Sequence, residues 1–127
     1  MANYFESGIG SAERPKSSPE DYFEMGQSAA FQALSEIKKF QPRLALVFVS
    51  SKLDIEKVTS GVKDILKTCP VIGTSTAGSI AIGTSADSVV VTIFASPHMR
   101  VKIGVGRNVG QNHKKAAFDA LLDAGVS

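Results

Sequence analysis

Residues 44–78 read LALVFVSSKLDIEKVTSGVKDILKTCPVIGTSTAG, and this stretch decides the fold. Its first six residues are a continuous apolar run, which is typical of a central strand buried on both faces. Asp54 is the expected N-cap of an amphipathic helix, because its carboxylate can accept hydrogen bonds from the first backbone amides. Pro70 ends this helix, and Val71 and Ile72 begin a second buried strand. Strand, helix and strand in this order predict two parallel strands joined by a right-handed crossover.

The residues upstream of this unit predict a short strand, a loop and a helix. Residues 3–9 are interpreted as the strand, and residues 10–18, which are rich in small and turn-forming residues, as the loop. Ser18 is the expected N-cap of the helix, Pro19 suits its first position, and Asp21 stands where a capping-box acid is expected. The alanines on the apolar face of this helix favour close packing on a sheet.

Downstream, the sequence predicts another buried strand, an alternating strand and a final helix. Residues 88–95 are mostly β-branched and apolar. Apolar residues alternate with others in residues 101–105, which predicts an antiparallel partner of the preceding strand with one solvated face. Asn112 is the expected N-cap of the last helix, whose predicted buried residues are Phe118, Leu121 and Leu122. No internal repeat is evident along the chain.

Together these elements predict a single α/β domain over residues 1–127. Its central mixed, largely parallel sheet is flanked by helices, with a C-terminal antiparallel strand pair and a final helix. A length of 127 residues suits one domain, and 43% hydrophobic with 20% charged residues is an ordinary globular composition.

Charge and cysteine content disfavour several classes of protein. The 14 Lys and Arg against 12 Asp and Glu give a net charge of +2, and the cations are spread along the chain, which disfavours a nucleic-acid surface. Cys69 is the only cysteine, so a reducing compartment is favoured over one where disulfides form. A signal peptide and an apolar run of about 20 residues are both absent from the sequence, which predicts a cytoplasmic protein without a membrane segment.

A polar stretch follows the second strand of the strand–helix–strand unit. Residues 73–78, interpreted as a loop, bring hydroxyls and backbone amides to the carboxyl end of that strand, where open α/β sheets bind ligands. Such amides favour anions, for example phosphate or carboxylate. Ser79 replaces the lysine of a nucleotide-binding P-loop, and Ala77 replaces the closing glycine of a nucleophile elbow. A ligand-binding loop and a structural turn whose hydroxyls satisfy backbone groups both remain open.

Ser50 and Ser51 follow the first strand of the same unit. If the two strands are parallel neighbours, these serines lie beside residues 74–76 at one edge of the sheet, where two polar strand ends favour a pocket. The alternative is that Ser51 only caps or supports the helix that follows. The predicted ligand-binding residues are therefore Ser50, Ser51, Gly73, Thr74, Ser75, Thr76 and Gly78.

The sequence gives little support to catalytic or metal chemistry. A nucleophile needs a base within hydrogen-bond reach, and the two histidines, His98 and His113, are interpreted as surface residues. No carboxylate pair is placed for acid–base catalysis, and no metal-ligand spacing is present. We therefore expect no catalytic residue, metal or cofactor. A small-ligand sensor, an enzyme fragment that binds phosphate or acyl groups through the Ser/Thr-Gly loop, and a non-catalytic assembly module remain as alternatives.

Several stretches, taken in their order, resemble the N-terminal part of the FIST domain. They are SGIGS at residues 7–11, LVFVSS at residues 46–51 and VIGTSTAG at residues 71–78, of which the last is the most specific. The resemblance implies a sensory module of a signal-transduction protein that binds a small molecule, such as an amino acid or another small carboxylate. Thr74 and Ser79 depart from the family pattern, which commonly has a cysteine and an acidic residue at these positions.

Two kinds of protein partner are expected. The resemblance implies a C-terminal FIST or output domain in a longer parent protein, so this chain is interpreted either as a fragment or as a shortened version of the domain. A shortened sheet leaves an edge strand exposed, and exposed edges favour a homodimer. No nucleic-acid or membrane partner is expected.

Overall fold

A computed structural model describes residues 4–13, 21–76 and 87–125 of the chain. In chain order the elements are β1 (Glu6–Glu13), α1 (Tyr22–Ser35), β2 (Pro42–Ser50), α2 (Ile55–Leu66), β3 (Val71–Thr76), β4 (Ser88–Ala95) and α3 (His113–Asp123). The predicted α/β class, with a mixed sheet and a final helix, is confirmed. None of the helices described is long and apolar enough to cross a membrane.

The sheet orders its described strands as β1-β4-β2-β3. β2 and β3 are parallel and are joined in the chain through α2, which confirms the predicted strand–helix–strand unit. β4 lies between β1 and β2 and runs antiparallel to both. The antiparallel partners of β4 are therefore β1 and β2, whereas residues 101–105, predicted as its partner, form no strand.

Both α1 and α2 pack on the same face of the sheet, because one buried cluster contains residues of both helices and alternate residues of β2 and β4. The fully buried strand residues of this cluster are Ala45, Val47, Val49, Val89, Val91 and Ile93. The intervening residues Leu44, Leu46 and Phe48 of β2 are only half-buried. The expectation that both faces of β2 are buried is therefore wrong for the described part of the chain, since both helices that pack on β2 and β4 cover one face.

α1 and α2 cross at two glycines. A Cβ atom on Gly26 would overlap the carbonyl oxygen of Val58, and a Cβ on Gly61 would overlap that of Phe23. Each glycine thus lets the backbone of the other helix approach more closely than a side chain would permit. This contact gives a physical reason for Gly26 in the middle of α1, where glycine lowers helix propensity by about 1 kcal/mol relative to alanine.

The N-caps of α2 and α3 are those predicted, and the N-cap of α1 is not. Asp54 and Asn112 each accept a hydrogen bond from the backbone N–H three residues further on, at 3.2 and 3.0 Å. α1 begins later than predicted, because Asp21 is itself its N-cap and accepts a hydrogen bond from the N–H of Glu24 at 3.0 Å. Ser18, the predicted cap, lies outside the described residues.

β1 is longer than the predicted strand. It extends through residues 10–13, which were expected to form a loop, because β4 offers each of them a partner in the ladder, from Gly10 opposite Val91 to Glu13 opposite Ser88. The small residues here are therefore not a turn signal. Gly8 and Gly10 lie where a Cβ would overlap the backbone of α1, so they let the helix lie directly on the strand.

Residues 101–107 lie along α3 and do not join the sheet. A Cβ on Gly104 would overlap the carbonyl oxygen of Ala120. A Cβ on Gly106 would overlap the carbonyl oxygen of Ala116. The alternation in this segment therefore arises from glycines that face a helix. α3 buries only Ala116, and the residues that were predicted as its core, Phe118, Leu121 and Leu122, are exposed because no described element packs over them.

This C-terminal part repeats the geometry of β1 and α1. GIG at residues 8–10 packs on AAFQAL at residues 29–34, and GVG at residues 104–106 packs on AAFDAL at residues 116–121. In the first unit, Gly8 lies against Ala33 and Gly10 against Ala29. In the second, Gly104 lies against Ala120 and Gly106 against Ala116. We call β1 with α1 the first unit, and residues 101–107 with α3 the second unit.

One hydrogen bond recurs in the two units. The backbone N–H of Ile9 donates to Glu36 Oε1 at 3.4 Å, and that of Val105 donates to Asp123 Oδ2 at 2.9 Å. In each case the donor is the residue between the two glycines, and the acceptor is a carboxylate near the end of the helix. The chain therefore contains an internal repeat that the sequence analysis missed, because the linker between glycine and alanine motifs differs in length.

Candidate functional site

The polar stretch after Ile72 begins as a strand. Residues 73–76 belong to β3 and pair in parallel register with residues 47–50 of β2. The loop interpretation is therefore wrong for these residues. The backbone groups on one side of β3 are hydrogen-bonded to β2, so residues 73–76 do not form a cluster of free amides. Gly78, the last predicted ligand-binding residue, lies outside the described residues.

The carboxyl ends of β2 and β3 lie side by side, as the parallel arrangement required. Ser50 stands opposite Thr76 in the ladder, and the backbone N–H of Ser51 donates to the carbonyl oxygen of Thr76 at 2.8 Å. The structure thus brings Ser50, Ser51 and Thr76 together at one edge of the sheet.

The two serines have different environments. Ser50 is 1% exposed, and its Oγ accepts a hydrogen bond from the N–H of Lys52 at 3.5 Å. Ser51 is exposed. Neither caps α2, since Asp54 does so. Ser51 is therefore accessible from solvent, whereas Ser50 is enclosed by the connection between β2 and α2.

β3 is the outermost strand on its side, and no other described strand pairs with its outer edge. Gly73, Thr74 and Ser75 are all exposed, and Thr74 Oγ1 donates a hydrogen bond to the carbonyl oxygen of Ser75 at 3.3 Å. A Cβ on Gly73 would have Thr59 Oγ1 at 3.5 Å as its nearest neighbour, which is ordinary contact. Packing among the described residues therefore does not require glycine at position 73.

The two histidines lie in different parts of the described structure. His98 follows β4, whose end stands opposite the start of β2, so it lies at the other end of the sheet from Ser50. Its ring meets Tyr4 edge-on at 4.9 Å between centroids. His113 is exposed at the start of α3. In the described part of the chain, no three His, Cys, Asp or Glu residues are grouped as metal ligands.

Cys69 packs at the margin of the core, two residues before the start of β3. Its Sγ donates a weak hydrogen bond to the carbonyl oxygen of Pro70 at 3.6 Å. Burial raises the pKa of the Cys69 thiol, so the reactive thiolate is scarce at neutral pH.

A cleft of about 360 Å³ lies at the opposite end of the sheet from Ser50 and Thr76. It is bordered by three short stretches, with the lining residues Gln41, Pro42, Arg43, Thr68, Pro70, Met99, Arg100, Val101 and Lys102. Arg43, Arg100 and Lys102 contribute positive charges, and none of the described residues that line the cleft is acidic. We call this the cationic cleft.

Sequence reasoning missed the cationic cleft because its cations are far apart along the chain. The N–H at Nε of Arg43 donates to the carbonyl oxygen of Ser96 at 3.1 Å, and this contact ties the start of β2 to the residue after β4. The antiparallel register of β2 and β4 then brings residues 99–102 near Arg43. The sequence signal for it is the alternation of Arg100 and Lys102 with apolar residues, and this pattern predicts the solvated face of a strand.

Comparison with solved structures shows a limited similarity of fold. The structure resembles thiamine-monophosphate kinase from Stenotrophomonas maltophilia, with a TM-score of 0.51 and 15% sequence identity over 81% of this chain and 34% of that chain. An FtsZ mutant from M. jannaschii gives a TM-score of 0.40 and 18% identity over 72% of this chain and 27% of that one. The chain thus spans about a third of the length of these proteins. At such identities the similarity concerns the fold alone.

Comparison with protein families is more informative. No curated protein matches the chain. The family model described as the FIST N domain matches residues 43–125, which include β2, α2, β3, β4 and α3. The matched segment is more than half of the 127 residues, and it contains the strand–helix–strand unit. The chain therefore belongs to the FIST N domain family, whose members are sensory modules of signal-transduction proteins.

Proposed function

We propose that this chain is a small-ligand-binding sensory domain and that its ligand is an amino acid or another small carboxylate. The observation that carries the proposal is the pairing of Ser50 with Thr76 at the carboxyl ends of two adjacent parallel strands. Open α/β sheets bind ligands at that edge. The proposed ligand-binding residues are Ser50, Ser51, Gly73, Thr74, Ser75, Thr76 and Gly78.

Hydroxyl groups at this edge suit a carboxylate. A hydroxyl that donates to an ionised oxygen forms a charge-assisted hydrogen bond, which is about twice as strong as a neutral one. Ser51 is exposed and stands beside Thr76, so the two residues can approach the same ligand group. Lys52 follows directly and brings a positive charge to the same connection.

The cationic cleft is a second candidate position for an anionic ligand. Among the residues that the structure describes, no acidic side chain lines the cleft beside its three cations. A carboxylate or phosphate there would bind mainly through charge, and its affinity would fall as salt is added. The Ser50–Thr76 edge, which acts through hydroxyls, predicts a weaker dependence on salt.

A thermal-melting screen tests the function and separates the two positions. The 127-residue chain is melted with amino acids, organic acids and inorganic phosphate at millimolar concentration. A ligand at 100 times its Kd stabilises the native state by about 2.7 kcal/mol, which raises the melting temperature by several degrees. We expect at least one small carboxylate to do so.

Matched variants locate the ligand. Ser51→Ala with Thr76→Val removes two hydroxyls at the β2–β3 edge, and Arg100→Gln with Lys102→Gln removes two charges at the cationic cleft. We expect the first pair to abolish the ligand-induced shift and the second pair to retain it. The reverse result would move the ligand to the cleft, and no shift with any compound would contradict the sensory function.

We further propose that the domain is not an enzyme and needs no cofactor. The alternative, an enzyme fragment that binds phosphate or acyl groups, places Ser75 and Thr76 in the reaction. Turnover of simple esters or phosphate esters that is lost in Ser75→Ala and Thr76→Ala would support that alternative. In the sensory role, a C-terminal FIST or output domain in a longer parent protein responds to the ligand.

A further inference from the structure

The cationic cleft holds positive charges that no described residue neutralises. No ion pair among the described residues involves Arg43, Arg100 or Lys102. In the described part of the chain, the side chain of Arg100 has no hydrogen-bond partner, and Lys102 reaches only the carbonyl oxygen of Gly125, at 3.5 Å. Like charges held close together repel each other, so an anion bound between them would stabilise the arrangement.

Arg43 lies at a β-bulge at the start of β2. In the ladder with β4, Pro42 and Leu44 stand opposite consecutive residues, so Arg43 is an extra residue between them. A bulge redirects the side chain at the inserted position, and bulges are common beside functional sites. The Nε–H of Arg43 donates to the carbonyl oxygen of Ser96 at 3.1 Å, which fixes the guanidinium. Its two terminal nitrogens have no partner among the described residues, so they are available to a pair of anion oxygens.

The other lining residues suit an organic molecule better than a bare ion. Thr68 offers a hydroxyl and Gln41 an amide, and both residues are exposed. Four lining residues are apolar and half-buried, and these are Pro42, Pro70, Met99 and Val101. The cleft volume of about 360 Å³ is at the lower end of the range of about 300–1,000 Å³ that is typical of small-molecule pockets. The cleft therefore combines cations, hydrogen-bond donors and an apolar wall at the size of a small ligand.

We propose that the cationic cleft binds a small organic phosphate and that this site is separate from the Ser50–Thr76 edge. A phosphate monoester carries a charge of about −1.5 to −2 at neutral pH and presents three strong acceptor oxygens. Three cations match this group, whereas a carboxylate offers one charge and two oxygens. The organic part of the molecule then lies against the apolar wall.

The two sites are far enough apart to be occupied independently. Pro70, which lines the cleft, precedes β3, whereas Thr76 is the last residue of that strand. The phosphate is therefore a second ligand, and its binding does not depend on whether a carboxylate binds at the other end of the sheet.

Isothermal titration calorimetry of the 127-residue chain tests the proposal with phenyl phosphate, inorganic phosphate and benzoate. Phenyl phosphate has a phosphate and an apolar ring, inorganic phosphate lacks the ring, and benzoate lacks the phosphate. We expect phenyl phosphate to bind at one saturable site and more tightly than either of the other two compounds. Its affinity should fall as salt is added, because the cations act mainly through charge.

Variants of the cleft locate the bound phosphate. Arg100→Gln with Lys102→Gln should weaken phenyl phosphate binding by about tenfold or more, because hydrogen bonds to charged groups are lost. Arg43→Lys keeps the charge but loses the planar fork, so it should also weaken binding. Far-UV circular dichroism establishes that each variant is folded, which we expect for the first pair because both residues are exposed.

Two matched pairs serve as controls. Lys57→Gln with Lys114→Gln removes the same two charges from exposed residues near the starts of α2 and α3, and at about 0.15 M salt, where distant charges are screened, it should leave phenyl phosphate binding unchanged. Ser51→Ala with Thr76→Val should also leave it unchanged, although this pair is expected to abolish carboxylate binding. The two proposed ligands are thereby tested separately.

Several outcomes would overturn the proposal. The first is the absence of saturable binding by both phosphate compounds up to about 10 mM, a concentration that detects even weak sites. The second is benzoate binding as tightly as phenyl phosphate, and the third is an equal loss of affinity in the cleft pair and the lysine control pair. Binding of a hexaglutamate peptide without binding of either phosphate compound would instead make the cleft a surface for an acidic protein segment.

Discussion

At the scale of single residues, glycines of this chain serve two distinct purposes. Gly26 and Gly61 allow two helix backbones to touch, and a side chain at either position would overlap a carbonyl oxygen of the other helix. Gly73 has space for a Cβ atom and is exposed on an edge strand. Its identity is therefore not explained by packing within the described residues, and contact with a ligand is a reason consistent with the proposed function.

Alanine substitutions separate these two purposes. We expect Gly26→Ala to lower the free energy of unfolding by about 1–3 kcal/mol, because the helices must move apart to admit a methyl group. Gly73→Ala should leave it unchanged or raise it by up to about 1 kcal/mol, because alanine loses less backbone entropy in a strand. Urea unfolding measures both. Equal destabilisation by the two substitutions would contradict the distinction.

Glu6 links the start of β1 to the chain that follows α1. Its carboxylate accepts hydrogen bonds from the backbone N–H groups of Lys38, Lys39 and Phe40 at 2.9, 2.7 and 2.8 Å. These bonds, that of Lys38 foremost, hold the pKa of Glu6 below the ordinary glutamate range against the opposing effect of desolvation. Lys102, at the same repeat position, donates instead to the carbonyl oxygen of Gly125 at 3.5 Å.

The lowered pKa of Glu6 makes its contribution to stability dependent on pH. A lowered folded-state pKa means that the ionised form favours folding, so the contribution is present above the ordinary glutamate pKa and is lost as the pH falls through the lowered one. Glu6→Gln should therefore be less stable than wild type at neutral pH, and the difference should shrink in acid. Urea unfolding across this pH range measures it, with Glu13→Gln, an exposed carboxylate at the other end of β1, as control. A difference that stays constant with pH would refute this account.

At the scale of secondary structure, the sequence predicted best where a pattern had a single physical cause. β2, α2, β3 and β4 follow from apolar runs, a helical apolar face and capping by Asp54, and all four are present. Residues 101–105 were misread because a two-residue period has two causes. A strand with one wet face produces it, and so do glycines that face a helix, as Gly104 and Gly106 do.

α3 should be the least stable of the helices. It buries only Ala116, whereas α1 and α2 contribute to the core. Elements with few buried apolar contacts open locally at a free energy well below that of global unfolding. In hydrogen exchange, α3 amides should exchange much faster than those of β2 and β4. Equal protection in α3 and β4 would show that this helix is held by contacts outside the second unit.

At the scale of the whole molecule, the sequence located one polar edge correctly and missed the cationic cleft. Ser50 and Thr76 are neighbours because parallel strands end at the same edge, which the strand–helix–strand pattern already implied. The expected loop at residues 73–76 is a strand, because pairing with β2 continues beyond Ile72. The cleft depends on the antiparallel register of β2 and β4, which no local pattern encodes.

The position of Cys69 offers a practical means of distinguishing the two ends of the sheet. It is the only cysteine of the chain, and its neighbours Thr68 and Pro70 both line the cationic cleft. Thr76 lies at the far end of β3, roughly 17 Å from Val71 at the usual rise per residue. A fluorophore attached to Cys69 at alkaline pH, where the thiol ionises, would therefore respond to molecules entering the cleft and remain insensitive to those bound beside Ser51. The wild-type chain thus carries a built-in attachment point for a position-sensitive optical reporter.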